Sequence, residues 1–505
     1  MQPTGIGART DPGRGDPPAG RVVLAVLAVA VIANLARGFV HLGAESFILD
    51  ELFTAWVIGR GGDAGAMFGR ALADTHPPLY YSLLFGYAEV VGRSEAALRS
   101  LSAVAGVATM LLFWLGTRRW FSPAARLFAM GLATGSEYWL YQMQTARSYA
   151  LLFLLATALL VMALALFAAD ADGDARRARR CFAGLVGISL VAGFTHFYGM
   201  LTAMAVFGTL FYGLPRWRWP ALAVAVGLAG VLLAYVVLVM RPSTEFATTG
   251  SWILNTPAWY YAQSRIALAR PLWPGAVLAL VVLGGLALWR RPRLAGLWPQ
   301  AFDPRLITIT VPVLLALAAV ASSLLVSPSF TARNILVALP FAWAAAALLF
   351  DGARLGDRRL LAAFAVLFAA TALWNQWQPR PPMKTPFRQS ARWLATESDC
   401  AGRTLPVLVD APIFRTPAIA ARQAEADYGY YLHGTIDVRG LALADVLARR
   451  PVPASGCRVI AWGAHYVTRA NVDAVAAALA ATHGGRVTRI TFGDRAPAYV
   501  FLSAP

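Results

Sequence analysis

Long apolar runs alternate with short polar connections over the first three quarters of the chain. A membrane-spanning helix needs about 20 consecutive apolar residues, and runs near that length recur as far as residue 376. The pattern predicts about eleven transmembrane helices, at 21–41, 96–117, 123–141, 149–169, 181–197, 200–214, 219–240, 272–289, 305–326, 333–350 and 359–376. The first run lacks a cleavage site of small residues, and we interpret it as a retained signal anchor.

The composition agrees with a membrane protein. Of the 505 residues, 58% are hydrophobic and 14% are charged, whereas a soluble protein carries roughly 25% charged residues. The net charge of +18 would suit a nucleic-acid partner if the basic residues formed one face. They instead fall in short clusters between apolar runs, which is typical of cytoplasmic loops, so no nucleic-acid partner is predicted.

The arginine clusters also predict the orientation of the chain. Residues 1–20 are rich in Gly, Pro and Arg, and we predict that they form a disordered cytoplasmic tail. The run 79–92 is short and carries Glu89, which favours a segment that dips into the membrane without crossing it. Under that assumption the clusters of all short loops fall on the cytoplasmic side, namely Arg118, Arg119, Arg176, Arg177, Arg179, Arg180, Arg216, Arg218, Arg290, Arg291, Arg293, Arg354, Arg358 and Arg359.

The chain divides into three predicted parts. The tail 1–20 precedes a transmembrane domain at 21–377, which has outer loops at 42–95 and 241–271. After a proline-rich linker, 378–505 is less apolar and predicts a small α/β domain outside the membrane. Its predicted elements are helices at 387–394 and 473–483 and strands at 405–411, 458–463, 486–492 and 497–503.

Two of the three cysteines, Cys400 and Cys457, fall in this outer domain, while Cys181 lies at the cytoplasmic start of a span. A disulfide between Cys400 and Cys457 would fit an oxidising compartment. Two unrelated small buried residues fit the sequence as well.

The stretch 47–81 has the properties of a substrate platform on the membrane surface. It is too polar to span lipid and too apolar to remain in water. Asp50 and Glu51 stand where the first run leaves the bilayer, and His76 precedes two prolines that restrict its backbone to an extended form. The predicted topology places Arg147 and Arg333 at the same outer face, where ionisable groups are costly and tend to mark function.

Five motifs occur in a fixed order along the chain. They are LDE at 49–51, HPPLYY at 76–81, GRSEAALR at 92–99, QTARSYALL at 144–152 and FTHFYG at 194–199. Together they resemble the polytopic GT-C glycosyltransferases, in particular the bacterial enzymes akin to the protein O-mannosyltransferases and the lipid A aminoarabinose transferase. The resemblance covers roughly residues 21–215 well and the later spans more loosely. It implies a GT-C-like fold and transfer of a sugar from a polyprenyl-phosphate carrier, with inversion, at the outer face of the bacterial inner membrane.

The two adjacent carboxylates are the expected catalytic residues. Asp50 is the candidate general base, because transfer to a hydroxyl needs a carboxylate in reach of the acceptor proton. Glu51 beside it would raise the pKa of one of the pair by like-charge repulsion. Neighbouring residues on a helix point about 100° apart, so only one of them is expected to face a cavity. The alternative is that both are solvated residues at a helix N-terminus.

The resemblance and the local chemistry together predict a set of ligands for the donor phosphate and sugar. A guanidinium suits phosphate, although Arg99 or Arg147 would equally serve as an ion-pair partner that locks helices together. The alternative for His196 is a structural role, as a buried histidine whose hydrogen bonds are made within the protein. Relatives commonly carry an Arg-Tyr pair where this chain has Arg333 and Asn334. The predicted ligands are His76, Arg99, Arg147, Tyr149, His196 and Arg333.

No cofactor or metal is predicted, since cationic side chains can stabilise the leaving phosphate. Asp50 and Glu51 alone would hold a divalent cation only loosely. The expected partners are the polyprenyl-phosphate-linked sugar donor, an acceptor hydroxyl on an envelope glycan, lipid or protein, and membrane lipid. The main alternative is a lipid-linked sugar flippase or transporter, whose polar groups should lie near mid-membrane in paired halves. A polysaccharide ligase or polymerase would need a larger late outer loop than 327–332.

Overall fold

The computed structural model describes residues 18–74, 76–240, 253–270, 302–326, 328–352, 358–377, 385–409 and 424–503. Within these ranges, seven helices are long and apolar enough to cross a membrane. They cover Gly20–Arg37, Glu95–Gly116, Tyr149–Ala171, Ala175–Thr195, Pro215–Val239, Pro304–Leu325 and Ala332–Gly352. Two shorter apolar helices, Phe197–Gly213 and Arg359–Trp374, match predicted spans, and the predicted span 272–289 lies outside the described residues. The chain is a helical, multi-pass membrane protein with a small C-terminal sheet domain.

The helices in chain order are α1 (Pro18–Arg37), α2 (Leu49–Ile58), α3 (Ala64–Leu72), α4 (Leu79–Val91), α5 (Glu95–Gly116), α6 (Pro123–Thr134), α7 (Glu137–Met143), α8 (Tyr149–Ala171), α9 (Ala175–Thr195), α10 (Phe197–Gly213), α11 (Arg218–Tyr235), α12 (Pro257–Ala269), α13 (Ile307–Leu325), α14 (Ala332–Ile335), α15 (Leu339–Gly352), α16 (Arg358–Trp377), α17 (Phe387–Thr396), α18 (Leu443–Leu447) and α19 (Val472–His483). The strands are β1 (Thr404–Val409), β2 (Asp437–Ala442), β3 (Val459–Ala464), β4 (Val487–Phe492) and β5 (Ala498–Ser503).

The outward faces of the long helices are apolar. On α5, Val104, Leu111 and Leu115 are each more than half exposed, whereas Ala103 and Met110 of the same helix are buried. Exposed apolar side chains along a whole helix face are unfavourable in water and favourable against lipid chains. This face therefore marks the lipid-exposed side of the bundle.

Both ends of the bundle are tied by polar contacts between distant helices. At one end, Arg119 after α5 donates two 2.9 Å hydrogen bonds to Asp172 after α8. At the other end, Arg99 near the start of α5 donates to the carbonyl of Leu42, which follows α1, at 2.7 Å. The chain from α1 to α5 thus leaves and re-enters the bundle at one end, and α4 between them does not cross it.

The predicted span 123–141 is wrong in detail, because two helices occupy it. Helix α6 ends at Thr134, and α7 begins at Glu137. The break has a local cause: the Ser136 hydroxyl accepts hydrogen bonds from the backbone N–H groups of Tyr138 and Trp139 and so starts a new helix. Hydropathy does not register this cap, since the surrounding residues are apolar on both sides.

The stretch 47–81, predicted to be a platform on the membrane surface and called the platform below, contains α2, α3 and the first residues of α4. It shares one hydrophobic core with the C-terminal domain, since Phe47 and Tyr81 belong to the same buried cluster as Leu394 and Trp462. Hydrogen bonds reinforce this contact. The Tyr431 hydroxyl accepts from the Phe47 N–H at 2.8 Å and donates to the Glu95 carboxylate at 2.9 Å. The C-terminal domain is therefore packed directly on the platform.

The C-terminal domain is built on a five-stranded mixed sheet of order β2-β1-β3-β5-β4. Strand β1 pairs in parallel with β2 and β3, and β5 pairs antiparallel with β3 and β4. Four of these strands correspond to the predicted ones, whereas β2, with the sequence DVRGLA, lacks the apolar alternation that identified the others. Cys400 and Cys457 form a disulfide, which resolves the alternative that the sequence left open.

Candidate active site

Asp50 lies in the first turn of α2 and pairs with Arg333 at the start of the last long spanning segment. Its Oδ2 accepts a 2.6 Å hydrogen bond from Arg333 Nη1. Both partners are part-exposed: 40% of the Asp50 side chain and 32% of the Arg333 side chain are accessible. Burial by itself raises the pKa of Asp50, but Arg333, Arg147 and His76 outweigh it and lower that pKa to about 2. Asp50 is therefore ionised at neutral pH.

Arg147 lies beneath this pair and connects α2 to α4. It is buried, and its Nη1 donates to the Asp50 carbonyl at 3.3 Å and to the Thr54 hydroxyl at 3.1 Å. The Tyr81 hydroxyl lies 3.4 Å from the same nitrogen. Within the described part of the chain, the buried Nε of Arg147 has no hydrogen-bond partner. A buried guanidinium N–H without an acceptor lowers the stability of the folded state. An anion bound beside Arg147 would supply that acceptor.

A second acidic residue, Asp74, contacts both His76 and Tyr81. Its Oδ2 accepts from the Tyr81 hydroxyl at 2.6 Å and lies 3.0 Å from His76 Nδ1. Burial raises the pKa of Asp74, yet His76 and Tyr81 more than offset this and lower the pKa to about 2. Since Asp74 is ionised, His76 Nδ1 carries the proton and the ring is held in place as a donor.

His196 faces His76 across the site, with ring centroids 5.1 Å apart. Its Nδ1 accepts the backbone N–H of Tyr198 at 3.1 Å, which places the proton of the neutral ring on Nε2. Nε2 is buried and has no partner among the residues that the structure describes. Burial, together with the charges of His76, Arg147 and Arg333, lowers the pKa of His196 well below its usual value. His196 is thus a neutral hydrogen-bond donor.

Tyr149 closes the group beside Arg333. Its hydroxyl donates to Asn334 Oδ1 at 3.3 Å, and Asn334 Nδ2 in turn donates to the Ser329 carbonyl at 2.9 Å. The ring of Tyr149 lies 5.6 Å from that of His196. A tyrosine from α8 thus stands next to the residue that follows Arg333, so the site keeps a phenol there although position 334 is an asparagine.

Glu51 and Arg99 form a separate, buried ion pair. Glu51 is fully buried, and Arg99 bonds both of its carboxylate oxygens, at 2.8 and 2.9 Å. The remaining donors of Arg99 go to the carbonyls of Leu42, Glu45 and Ser46, so all five of its N–H groups are used. For Arg99 the geometry favours the ion-pair alternative over contact with a phosphate, and for Glu51 it favours a structural role over a catalytic one.

The outer loop 241–271 reaches the site through its described part, α12. The Trp259 indole N–H donates to the Phe330 carbonyl at 2.8 Å, and the Gln263 side chain accepts the Ala332 N–H at 2.8 Å. Both contacts hold the turn that carries Arg333. Residues 241–252 and 271 of this loop lie outside the described residues.

One group in the described chain has metal-ligand proximity, Asp399 with Cys400 and Cys457. Because the two cysteines are bonded to each other, they offer no thiolate to a metal. This group lies in the C-terminal domain and is unconnected with Asp50.

Two residues of the site have roles that the sequence analysis did not assign. The Tyr81 hydroxyl joins Asp74 to Arg147. The Thr54 hydroxyl accepts from Arg147, and Thr54 lies four positions after Asp50 and so shares its helix face. That spacing is a signal by which it was detectable.

Comparison with known proteins supports this architecture. No family model and no curated protein sequence matches the chain. Among solved structures, the chain is similar to ArnT from Cupriavidus metallidurans bound to undecaprenyl phosphate, with 13% identity and a TM-score of 0.56 over 97% of this chain and 100% of that one. The apo state of the same protein gives 15% identity and a TM-score of 0.53 over the same shares. At such identities the likeness concerns the fold alone, and this chain has the fold seen in ArnT.

Proposed function

We propose that this protein is a membrane glycosyltransferase that moves a sugar from a polyprenyl-phosphate carrier to a hydroxyl acceptor at the outer face of the bacterial inner membrane. The observation that carries the proposal is the position of the part-exposed Asp50 between Arg333, which bonds its carboxylate, and Arg147, which bonds its backbone carbonyl. A carboxylate to accept a proton and arginines to hold a phosphate are the two elements that this reaction requires.

The proposed reaction is a single displacement. The acceptor oxygen forms a bond to the anomeric carbon while the bond between that carbon and the phosphate oxygen breaks, and the electron pair leaves with the phosphate. Asp50 takes the acceptor proton and later releases it to water. Because base and leaving group lie on opposite faces of the sugar, the configuration inverts.

Arg333 has two partners in turn in this proposal. Without substrate it pairs with Asp50, which lowers the basicity of the carboxylate. A donor phosphate competes for the same guanidinium, and the exchange leaves Asp50 without its nearest cation. The pKa of Asp50 then rises toward that of a useful base. Arg147, with an unused buried donor, binds the same phosphate, while His76, His196 and Tyr149 line the sugar side.

The orientation rests on charge and on cysteine chemistry. Arg119 and Arg177 lie at the end of the bundle opposite the site, where both are about half exposed, and arginine-rich short loops favour the cytoplasm. The C-terminal domain, at the same end as Asp50, holds a disulfide, which favours an oxidising compartment. Both observations support an extracytoplasmic site and an extracytoplasmic domain.

A lipid-linked sugar flippase is the alternative, and the position of the charges argues against it. Arg147 and Arg333 lie where the spanning segments Tyr149–Ala171 and Ala332–Gly352 begin, and Asp50 and Asp74 lie in and beside short helices that are not spans, whereas a transporter is expected to hold substrate near mid-membrane. No observation favours a ligase or polymerase.

The test supplies purified protein in lipid nanodiscs with radiolabelled hexose, pentose and uronate donors on undecaprenyl phosphate, together with an envelope extract as acceptor. A glycosyltransferase releases undecaprenyl phosphate and transfers label to the acceptor. A flippase in vesicles moves the intact donor across the membrane and leaves the sugar–phosphate bond unbroken. Donor translocation without release of undecaprenyl phosphate would reject the proposal.

A further inference from the structure

The C-terminal domain contains a cavity that the proposed reaction does not use. Its volume is about 350 Å³, and its polar lining comes from His465, Thr468, Arg469, Arg495 and Thr385. The rest of the lining is aliphatic, and no carboxylate side chain contributes to it among the described residues. The guanidinium groups of Arg469 and Arg495 around one hollow make it electropositive.

The fold concentrates these residues at one edge of the sheet. His465 directly follows β3, and Thr468 and Arg469 lie in the turn between β3 and α19. Arg495 lies in the turn between β4 and β5. Strand β3 runs parallel to its neighbour β1, and in sheets of this kind ligands bind beyond the carboxyl ends of parallel strands.

The backbone at His465 is strained in a way that serves this position. Its φ is 58°, a left-handed conformation that residues other than glycine rarely adopt. The next N–H, that of Tyr466, turns back to the Ala464 carbonyl at 2.6 Å. The strand therefore ends abruptly, and the His465 ring is directed into the cavity that it lines.

Contacts through the domain junction place this cavity beside the candidate active site. The Tyr428 hydroxyl bonds both the N–H and the carbonyl of Ala464, each at 3.0 Å. The segment of Tyr428 packs on α2, and Arg60 just after α2 lies 3.4 Å from the carbonyl of Tyr430. His465, which directly follows Ala464, is thus linked through Tyr428 to α2, the helix that carries Asp50.

We propose that the cavity of His465, Arg469 and Arg495 binds an anionic group of the acceptor, a phosphate or a carboxylate, and so presents the acceptor hydroxyl to Asp50. Guanidinium groups bind both anions through paired hydrogen bonds. Arg469 already donates to the backbone carbonyl of Asp494, which orients its side chain and leaves further donors. The inference rests on the proposed glycosyl transfer and adds the chemical class of its acceptor.

The anion has two possible sources, a lipid headgroup in the membrane or a soluble glycan, and the test has one arm for each. The first probe is phosphatidic acid in phosphatidylcholine nanodiscs, and the second is glucose 6-phosphate in solution. Both are titrated against full-length protein whose carrier site is saturated with undecaprenyl phosphate, so that Arg147 and Arg333 are already occupied. We expect one probe to bind.

The test variant is Arg469→Gln with Arg495→Gln, and the matched control is Arg439→Gln with Arg486→Gln. All four arginines are exposed, and both double variants remove two positive charges, but Arg439 and Arg486 lie at opposite outer strands of the sheet. We expect the test variant to weaken probe binding at least tenfold and the control to leave it within twofold. Equal binding by both variants, or binding of neither probe to the native protein, would overturn the inference.

Failure of the inference is distinguishable from failure of the proposed function. Binding of undecaprenyl phosphate is measured in the same preparations. If the cavity has no role, carrier binding persists in the test variant while its probe affinity matches that of the control. If the chain is not a polyprenyl-phosphate enzyme, the native protein itself does not bind the carrier.

Discussion

The carboxylate of Asp50 accepts a 2.6 Å hydrogen bond from the guanidinium of Arg333, which lies 283 residues further along the chain. Each partner is a candidate for a different task, the first as base and the second as phosphate ligand. While they are paired, neither is available. The competition for Arg333 therefore links arrival of the donor phosphate to activation of the base.

Asp50→Asn tests the role of the base. The amide keeps the shape of the side chain but accepts no proton, so we expect transfer to fall about 100-fold to 10,000-fold. Binding of undecaprenyl phosphate should be retained or tightened, because Arg333 loses a competing anion. Turnover by radiolabel transfer and carrier binding by titration are both measured. Native turnover in this variant would remove Asp50 from the mechanism.

The exchange of Arg333 predicts a difference between two pH profiles. The pKa of Asp50 is about 2 in the absence of donor, mainly because Arg333 and Arg147 offset its burial. A general base acts only when ionised, so activity is lost as the pH falls through its pKa. The profile of kcat/KM reports the free enzyme and that of kcat the complex. We therefore expect the acid limb of kcat at the higher pH.

Arg333→Ala provides the comparison for that profile. Without the guanidinium, Asp50 has no Arg333 partner either before or after the donor binds. The acid limbs of the kcat and kcat/KM profiles should therefore coincide. The limb of kcat/KM should also lie at higher pH than in the native protein. The measurement is steady-state transfer across the acid range. Coincident limbs in the native protein would show that Asp50 keeps its partner in the complex.

Glu51→Gln is expected to affect folding rather than chemistry. Glu51 is fully buried with Arg99, and removing one member of a buried ion pair costs about 3–5 kcal/mol. The matched control is Glu89→Gln, whose carboxylate is 44% exposed beside Arg93, so that its loss should change the stability far less. Thermal unfolding in detergent compares the two. Glu51→Gln that unfolds like the native protein but lacks turnover would assign Glu51 to catalysis instead.

The proposed orientation predicts which cysteines react from outside the cell. Arg60→Cys lies on the platform and Arg119→Cys at the opposite end of the bundle, and both positions are exposed. In a Cys181→Ser background, where Cys400 and Cys457 are disulfide-bonded, a membrane-impermeant maleimide should label position 60 in intact cells. Position 119 should react only after lysis. The reverse pattern would place the site in the cytoplasm.

Several site residues were accessible to sequence reasoning because their signals are local. Asp50 follows directly on an apolar run, and His76 precedes two prolines, so their outer position follows from hydropathy and backbone restriction. The sequence does not predict which of Asp50 and Glu51 is the exposed one, because helix geometry only requires that the two side chains point in different directions. The structure leaves Asp50 part-exposed and buries Glu51.

Arg99 and Arg147 illustrate the same limit. Both are arginines near the start of a spanning helix, and the sequence around them does not distinguish an ion pair from a phosphate ligand. The five donors of Arg99 are all used, whereas Arg147 keeps a buried donor without a partner in the described chain. The difference comes from backbone carbonyls of the loop after α1, which only folding brings to Arg99.

The amino-acid sequence by itself determined that the chain crosses a membrane many times, which end of the bundle carries the arginine-rich loops, and that a sheet domain follows. Those properties are sums over neighbouring residues, because hydropathy and loop charge act on each segment separately. Tertiary structure alone decided that Asp50 bonds Arg333 and that His465 and Arg495 line one cavity of the C-terminal domain. Such pairings join residues that lie far apart in the sequence, and their energies depend on distance and burial, which no local pattern records.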